Sequence, residues 1–206
     1  MPRKNSNSFL FQSKWSLPSL LFILVVYIGY DIYQEHAFPV IVNESSEIKL
    51  QACFTPTHNC QSRLIQKIDS AEKEILVMAY AFTDEDIAKA LLKAHQRGIK
   101  VAIIADKTQR AHKHSQIPFL SFEGVPVYID LPVAISHNKV MLIDERIVVT
   151  GSFNFTVAAQ KRNAENLLLI ESPALARQYK QNWITRRNAS EILSTKSRDK
   201  PVGKSS

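Results

Sequence analysis

An α/β domain, a mixed central β-sheet with helices layered on it, is what the sequence predicts, and three stretches carry the prediction. Residues 61–70 place Leu64, Ile65 and Ile68 at helical spacing, and residues 74–82, EILVMAYAF, form a nearly unbroken apolar run of strand length. A second helix over 83–98 and a second strand over 99–105 repeat that order, which implies a parallel pair joined by a right-handed crossover. Residues 135–156 then read as two strands joined by a turn at Asp144, Glu145 and Arg146, which makes the sheet mixed.

The chain begins with a polar stretch, 1–16, that carries Arg3, Lys4 and Lys14, followed by LPSLLFILVVYIGY at 17–30, which has no charge. That pattern is a targeting segment. Residues 17–33, with Tyr27, Tyr30 and Tyr33 as interfacial anchors, are expected to be a signal anchor or signal peptide, with 1–16 as its cytoplasmic n-region. The uncharged run falls short of the roughly 20 residues of a full span. No small-x-small cleavage site follows Tyr30, which favours an uncleaved anchor. Either way the remainder is expected to be exported: periplasmic, or tied to the inner membrane and facing the periplasm.

Residues 34–50 read as a linker, polar and slightly acidic, with a first strand starting near 48–52. The folded domain is expected over 51–187. Cys53 and Cys60 are the only cysteines, and in an exported chain an even pair points to a disulfide closing a short loop. With His58 they make three conceivable metal ligands, but no fourth is near and the spacing is not that of a zinc knuckle, so no metal is expected. Thr83 is expected to cap the helix that Asp84, Glu85 and Asp86 begin, and Gly98 to end it after Arg97. Residues 106–122 are less regular. They include His112, Lys113 and His114, and follow strand 99–105, the end at which such sheets carry ligands. Phosphate contact suits those histidines better than catalysis. Strands are expected over 125–129 and 167–170, and a helix over 173–187 with Leu175, Tyr179 and Trp183 as its buried stripe. The polar, basic remainder, 188–206, is expected to be a disordered tail.

The chemistry is concentrated in ISHNKVMLIDERIVVTGSFNFT, 135–156. His137 and Lys139 are two apart, so on a strand they share a face. Gly151, Ser152 and Asn154 give a turn-prone segment whose hydroxyl and carboxamide can reach one oxyanion. Written as spacing, His-x-Lys, four residues, Asp144, six residues, Gly-Ser-x-Asn resembles the phospholipase D superfamily signature position for position. Six fixed residue types would arise by chance in roughly one chain of this size in several hundred thousand, which sets aside an ordinary hairpin. Resemblance to the small single-motif bacterial nucleases of that superfamily covers 52–187, including CFTP, MAYAFTDEDIAKAL, GSFNFT and NAEN.

The resemblance implies a phospholipase D-like layered sandwich. It also implies a homodimer, because the superfamily's chemistry uses two facing copies of a motif that occurs once here, and two-fold symmetry lets one patch meet itself. A phosphodiester needs a nucleophile, a proton donor for the leaving oxygen and cations for its other oxygens. His137 is expected to attack phosphorus and form a phosphohistidine, while the second copy of His137 serves as acid and then base. Lys139, Ser152 and Asn154 are expected to hold the phosphate oxygens. Glu165, in NAEN, matches the carboxylate that backs the histidine ring, and Asp144 is either catalytic or a support for its turn. Side-chain cations do the electrostatic work, so no cofactor is expected.

The formal net charge of +7 is divided: residues 51–183 hold sixteen basic and thirteen acidic side chains, and 184–206 hold six and two. Lys107, Arg110, Lys113, Lys161 and Arg162 near the motif fit a nucleic acid, DNA or RNA, bound through its backbone without base readout. The expected function is a metal-independent endonuclease of low sequence specificity. A phospholipid phosphodiesterase at a membrane is the first alternative, disfavoured because no long apolar insertion supplies an acyl groove. A non-catalytic nucleic-acid-binding protein is the second, disfavoured by the intact His137, Lys139, Ser152, Asn154 and Glu165.

Overall fold

The computed structural model describes residues 17–36 and 48–194, which fall in separate units, 1–43 and 44–206. The n-region, most of the linker and the tail beyond 194 lie outside the described residues. In the first unit α1 spans Leu17–His36, running past the apolar stretch to take in Asp31 and Glu35. Leu21 to Ile28 are exposed along it. No helix among the described residues is long and apolar enough to cross a membrane.

The second unit is built on one eight-stranded sheet. Its strands are β1 (Lys49–Thr55), β2 (Glu74–Ala79), β3 (Lys100–Asp106), β4 (Val127–Asp130), β5 (Lys139–Ile143), β6 (Ile147–Gly151), β7 (Glu165–Glu171) and β8 (Glu191–Ile192). Their order across the sheet is β1-β7-β6-β5-β2-β3-β4-β8. The β2, β3 and β4 neighbours are parallel, and every other pairing is antiparallel. The sheet is therefore mixed, as the sequence implies. Helices α2 (Cys60–Asp69), α3 (Glu85–Gln96), α4 (Ile117–Phe122), α5 (Val157–Lys161) and α6 (Pro173–Asn188) cover it, with a 3-10 turn at Lys107–Arg110.

Both faces of the central strands are buried, which is why β2 reads as a continuous apolar run rather than an alternation. Ile75, Val77 and Ala79 face one core with Leu64, Ile68, Ile87, Leu91 and Ile103. Leu76 and Met78 point the other way, against Ile104, Val140, Val148 and the Ala176 and Trp183 of α6. Each large side chain buried this way contributes roughly 1.5–3 kcal/mol. The Trp183 indole also donates to the Val77 carbonyl at 3.0 Å, which fixes α6 over β2. Cys53 and Cys60 form a disulfide that ties β1 to the first residue of α2. That consumes both thiols, and His58 Nδ1 lies 3.1 Å from the Phe54 carbonyl, so these three are not a ligand set.

Two expectations change, and one open alternative is decided. Asp84, not Thr83, caps α3: its buried carboxylate accepts from the Asp86 and Ile87 amides, because the Thr83 and Asp84 amides are both drawn to the Phe155 carbonyl. Order extends beyond 187, since Glu191–Ile192 pair with Ile129 and Tyr128 and so occupy the open edge of β4. An edge strand's unpaired backbone groups recruit any nearby extended chain, and two residues are too few to leave a pattern.

The open alternative is Asp144, which supports its turn. It sits at the tip of the β5–β6 hairpin with φ 55°, followed by Glu145 at φ 51°, the two positive-φ central residues of a turn that the Arg146 amide closes on the Ile143 carbonyl at 3.0 Å. Its carboxylate accepts from the backbone amides of Glu72, Lys73 and Glu74 at 2.9, 2.7 and 3.0 Å. Those bonds offset the roughly 1–2 kcal/mol that a non-glycine residue loses in this region. Asp144 therefore holds the hairpin to the start of β2, at the opposite end of β5 from Lys139.

Candidate active site

Five strands have an end on the same side of the sheet, at the tips of its strands. Lys139, the first residue of β5, lies across from Ala79, the last of β2, and Glu165 lies across from Thr55 where β7 begins and β1 ends. Gly151 closes β6 opposite Leu167, and continuing the β5–β6 register by two residues puts it opposite Lys139. Antiparallel neighbours thus bring Lys139, Gly151 and Glu165 together although they span 139–165 in sequence.

Lys139 is 9% exposed. Its ammonium donates to the His137 carbonyl at 3.1 Å and stands 4.8 Å from the centroid of the Tyr80 ring. Burial pulls its pKa below the ordinary lysine value, and the Glu165 charge opposes that pull without cancelling it. His137 is exposed, and its ring meets Tyr80 edge-on at 4.4 Å between centroids. Tyr80 is thus the common wall of the two motif residues. Its amide donates to the Asn138 carbonyl at 2.8 Å, which locks the end of β2 to the segment between them.

The loop that delivers His137 is held from below by Asp106. This fully buried carboxylate accepts from the Ser136 amide at 2.7 Å and from the Thr108 amide and hydroxyl at 2.9 and 2.6 Å. Burial alone would raise its pKa, but those hydrogen bonds and the nearby Lys107 outweigh it and lower the pKa overall. Lys107 itself donates to the Val133 carbonyl at 3.2 Å, a second tether on the same loop.

Glu165 is placed differently from expectation. Ser152 Oγ donates to one of its oxygens at 2.5 Å and the Asn163 amide group to the other at 2.9 Å, so its partners are these rather than the His137 ring. Its electrostatic influence falls on Lys139. Ser152 is fully engaged as well: while donating to Glu165 it accepts from the backbone and side-chain nitrogens of Asn166 at 3.0 and 3.3 Å. Its hydroxyl proton is committed to the carboxylate, so Ser152 supports the site instead of facing a phosphate as a donor. Gly151 has φ 142°, and a Cβ there would lie 2.3 Å from the Asn166 carbonyl oxygen, so only glycine fits. Asn154 Oδ1 is buried with no hydrogen-bond partner, the one such side-chain atom among the described residues. An unpaired buried polar atom costs about 1–3 kcal/mol, and such costs concentrate at functional sites.

Tyr80, Asp106 and Asn166 were invisible to motif reading. Tyr80 is embedded in the apolar run 74–82, and Asn166 closes the NAEN segment already noted for Glu165. Asp106 left the clearest signal, an acid directly after an apolar parallel strand. No cluster of three or more His, Cys, Asp or Glu among the described residues forms a metal-ligand set.

Comparison with known proteins supports the same assignment. The family described as cardiolipin synthase, PLD-like domain, matches residues 64–186. The chain is 38% identical over 198 residues to the phospholipase D of Rickettsia prowazekii, covering 88% of this chain and 97% of the relative. It is 31% identical over 148 residues to the mitochondrial cardiolipin hydrolase of Xenopus tropicalis, 70% of each chain. Among solved structures, Nuc from Salmonella typhimurium, a phospholipase D family member, matches with a TM-score of 0.69 at 35% identity, over 72% of this chain and 100% of Nuc. Sequence, fold and the meeting of β5, β6 and β7 at one end of their strands agree, and the chain belongs to the phospholipase D superfamily as a phosphodiesterase with a single copy of the motif.

Proposed function

We propose that the protein is a metal-independent endonuclease of low sequence specificity that cuts DNA or RNA in an active site shared by two copies of the chain. The observation that carries this reading is the kind of surface beside the motif. A polar cleft of about 530 Å³, lined in part by His112, Lys113, His114 and Arg162, adjoins the segments that follow Tyr80 and Asn154. The apolar cleft, about 590 Å³ over Leu76, Ala102, Tyr128 and Trp183, reaches Glu74 and Lys100 at the far end of β2 and β3. Cations near the chemistry suit a polyanion, and an acyl chain would find its apolar floor at the wrong end.

In this reading the neutral imidazole of His137 attacks phosphorus, and the leaving alkoxide takes a proton from His137 of the partner subunit. Water then attacks the phosphohistidine and gives a proton back to that second ring. Two Lys139 ammonium groups, each kept charged with the help of Glu165, balance the charge on the phosphate oxygens, with Asn154 beside them. Phe54, Ile135 and Val157 are large apolar side chains exposed in the segments that carry the site, at 53%, 54% and 45%, which supports closure by a second copy. The Cys53–Cys60 disulfide and the exposed apolar stretch of α1 support an exported domain held at the membrane, in the periplasm, by residues 17–33. Protease added to intact spheroplasts should then digest the domain.

The same exposed apolar residues favour a second reading, phospholipid hydrolysis at a membrane surface, which the names of the Rickettsia and Xenopus relatives also support. One experiment separates the two. The full chain and its His137→Ala variant are given plasmid DNA, single-stranded DNA, RNA and cardiolipin micelles in excess chelator. Nucleic-acid cleavage lost only in the variant supports the endonuclease. Lipid hydrolysis without nucleic-acid cleavage reverses the assignment. Undiminished cleavage by the variant would remove the enzymatic assignment from this site. Turnover that persists after dilution to monomer would contradict the shared site.

A further inference from the structure

The polar cleft is built, not incidental. The loop that carries His112, Lys113 and His114 is pinned to the segment between β2 and α3 by the Gln116 amide, which donates to the Phe82 carbonyl at 2.9 Å. Within the loop the Ser115 amide donates to the His112 carbonyl at 2.9 Å. The His114 amide donates to His112 Nδ1 at 3.3 Å, which leaves the ring proton of His112 on Nε2, free to donate outward. The two rings stand 6.1 Å apart. The opposite wall is α5, with Val157 and Ala158, and its C-cap Arg162. Lys113 and Arg162 are both exposed, and neither has an ion-pair partner among the described residues. The acid lining the cleft, Glu85, is already paired with Lys89 at 3.2 Å.

Two short chain paths link this cleft to the active site. Thr83, on its rim, is three residues beyond Tyr80, and Val157 is three beyond Asn154. Each path spans at most about 11 Å even when fully extended. The paths are joined where the Thr83 and Asp84 amides both donate to the Phe155 carbonyl at 3.0 Å, so the cleft and the site are held at a fixed separation. Phosphates on one strand of a duplex recur about every 3.4 Å along the axis, so a phosphate a few nucleotides from the scissile one falls within reach.

We propose that the cleft between the His112–His114 loop and α5 is a second phosphate site, which holds a phosphate near the scissile one on the same polynucleotide strand. Lys113 and Arg162 supply charge, and His112 and His114 supply directed donors. Lys107 is spent on the Val133 carbonyl and takes no part. The site rests on the endonuclease reading, and it makes a long substrate better than a single diester by binding, with no new chemistry. It also accounts for sequence tolerance, because none of these contacts reads a base.

The test compares the full chain with Lys113→Ala/Arg162→Ala and His112→Ala/His114→Ala on single-stranded DNA and on bis(p-nitrophenyl) phosphate, which has one phosphodiester and no neighbour. Each double variant is expected to lower the preference for DNA over the small diester about tenfold or more, through KM, as loss of charge-assisted contacts should. Removing Lys113 and Arg162 should also flatten the dependence of log KM on log salt by about 0.7 for each charge lost. An unchanged preference and salt slope would overturn the site. So would an equal loss on both substrates, because the cleft would then only shape the active site. Wild-type hydrolysis of the small diester without DNA cleavage would instead defeat the endonuclease reading, and the second site with it.

Discussion

Lys139 and Lys180 stand at opposite ends of the same sheet, and each faces glutamate with a different result. Lys180, reaching from α6, donates to Glu74 at 2.5 Å and to Glu145 at 2.7 Å. Burial pulls its pKa down, but the two carboxylates outweigh burial and raise it above the ordinary value. Lys139 is more deeply buried, bonds only a carbonyl, and feels Glu165 through space, so its pKa stays lowered. A lysine saturated with carboxylates is a clasp. A buried lysine with one distant carboxylate retains an unmet demand for negative charge, which a phosphate can satisfy.

The sharpest break in that comparison comes from His137→Ala, which removes nucleophile and acid together. Each acid or base step is worth about 10² to 10⁴, so single-turnover assays should show a loss of at least roughly 10⁴. Stability should move by no more than about 0.5 kcal/mol, because the ring is exposed. Lys139→Met should lower kcat by about 10² to 10³, as loss of an oxyanion-site cation does, while urea melts show an equal or more stable fold. Lys180→Met should do the reverse. Activity should persist and stability should fall by about 1–2 kcal/mol, a value kept small because these groups are partly exposed.

The Lys180 contribution also has a sign in pH. Its folded pKa is raised, so the stabilisation is complete below the unfolded value near 10.5 and is lost as pH rises through the folded pKa. Wild-type and Lys180→Met melts should therefore converge in strong alkali. Asp144→Ala should cost about 1–2 kcal/mol with no loss of rate, which separates a turn support from a catalytic acid. The smallest effect is expected from Glu165→Gln. Removing the charge that raises the Lys139 pKa should move the alkaline limb of the pH–rate profile to lower pH, and an unmoved limb would detach Glu165 from Lys139.

What was legible in the sequence was what repeats or is sparse. The apolar run of β2, the spacing of α2 and the glycine after Arg97 read through to the observed elements because local pattern and tertiary burial agree there. The motif residues were legible because polar groups at fixed spacing inside apolar strands are improbable. Side-chain hydrogen-bond partners were not legible. Thr83 and Asp84 are equally good caps on paper, and the Phe155 carbonyl, brought in by a distant loop, decides between them. Glu165 looked like a partner for His137, but Ser152 and Asn163 reach it first, across strand pairings that no spacing rule contains. Asp144 belonged to the motif by sequence and to the hairpin by geometry, since its partners are amides some seventy residues earlier in the chain.

Gly151 also sets a limit on heritable variation. Every amino acid reachable by a point change in a glycine codon carries a Cβ, and here that atom would land 2.3 Å from backbone that is itself bonded to the amides of Ser152 and Phe153. No rotamer relieves such a clash, because the obstacle is main chain on both sides. In a saturation library selected for activity, this position should return glycine alone, whereas Gly98, with nothing within 4 Å of its would-be Cβ, should at least admit asparagine.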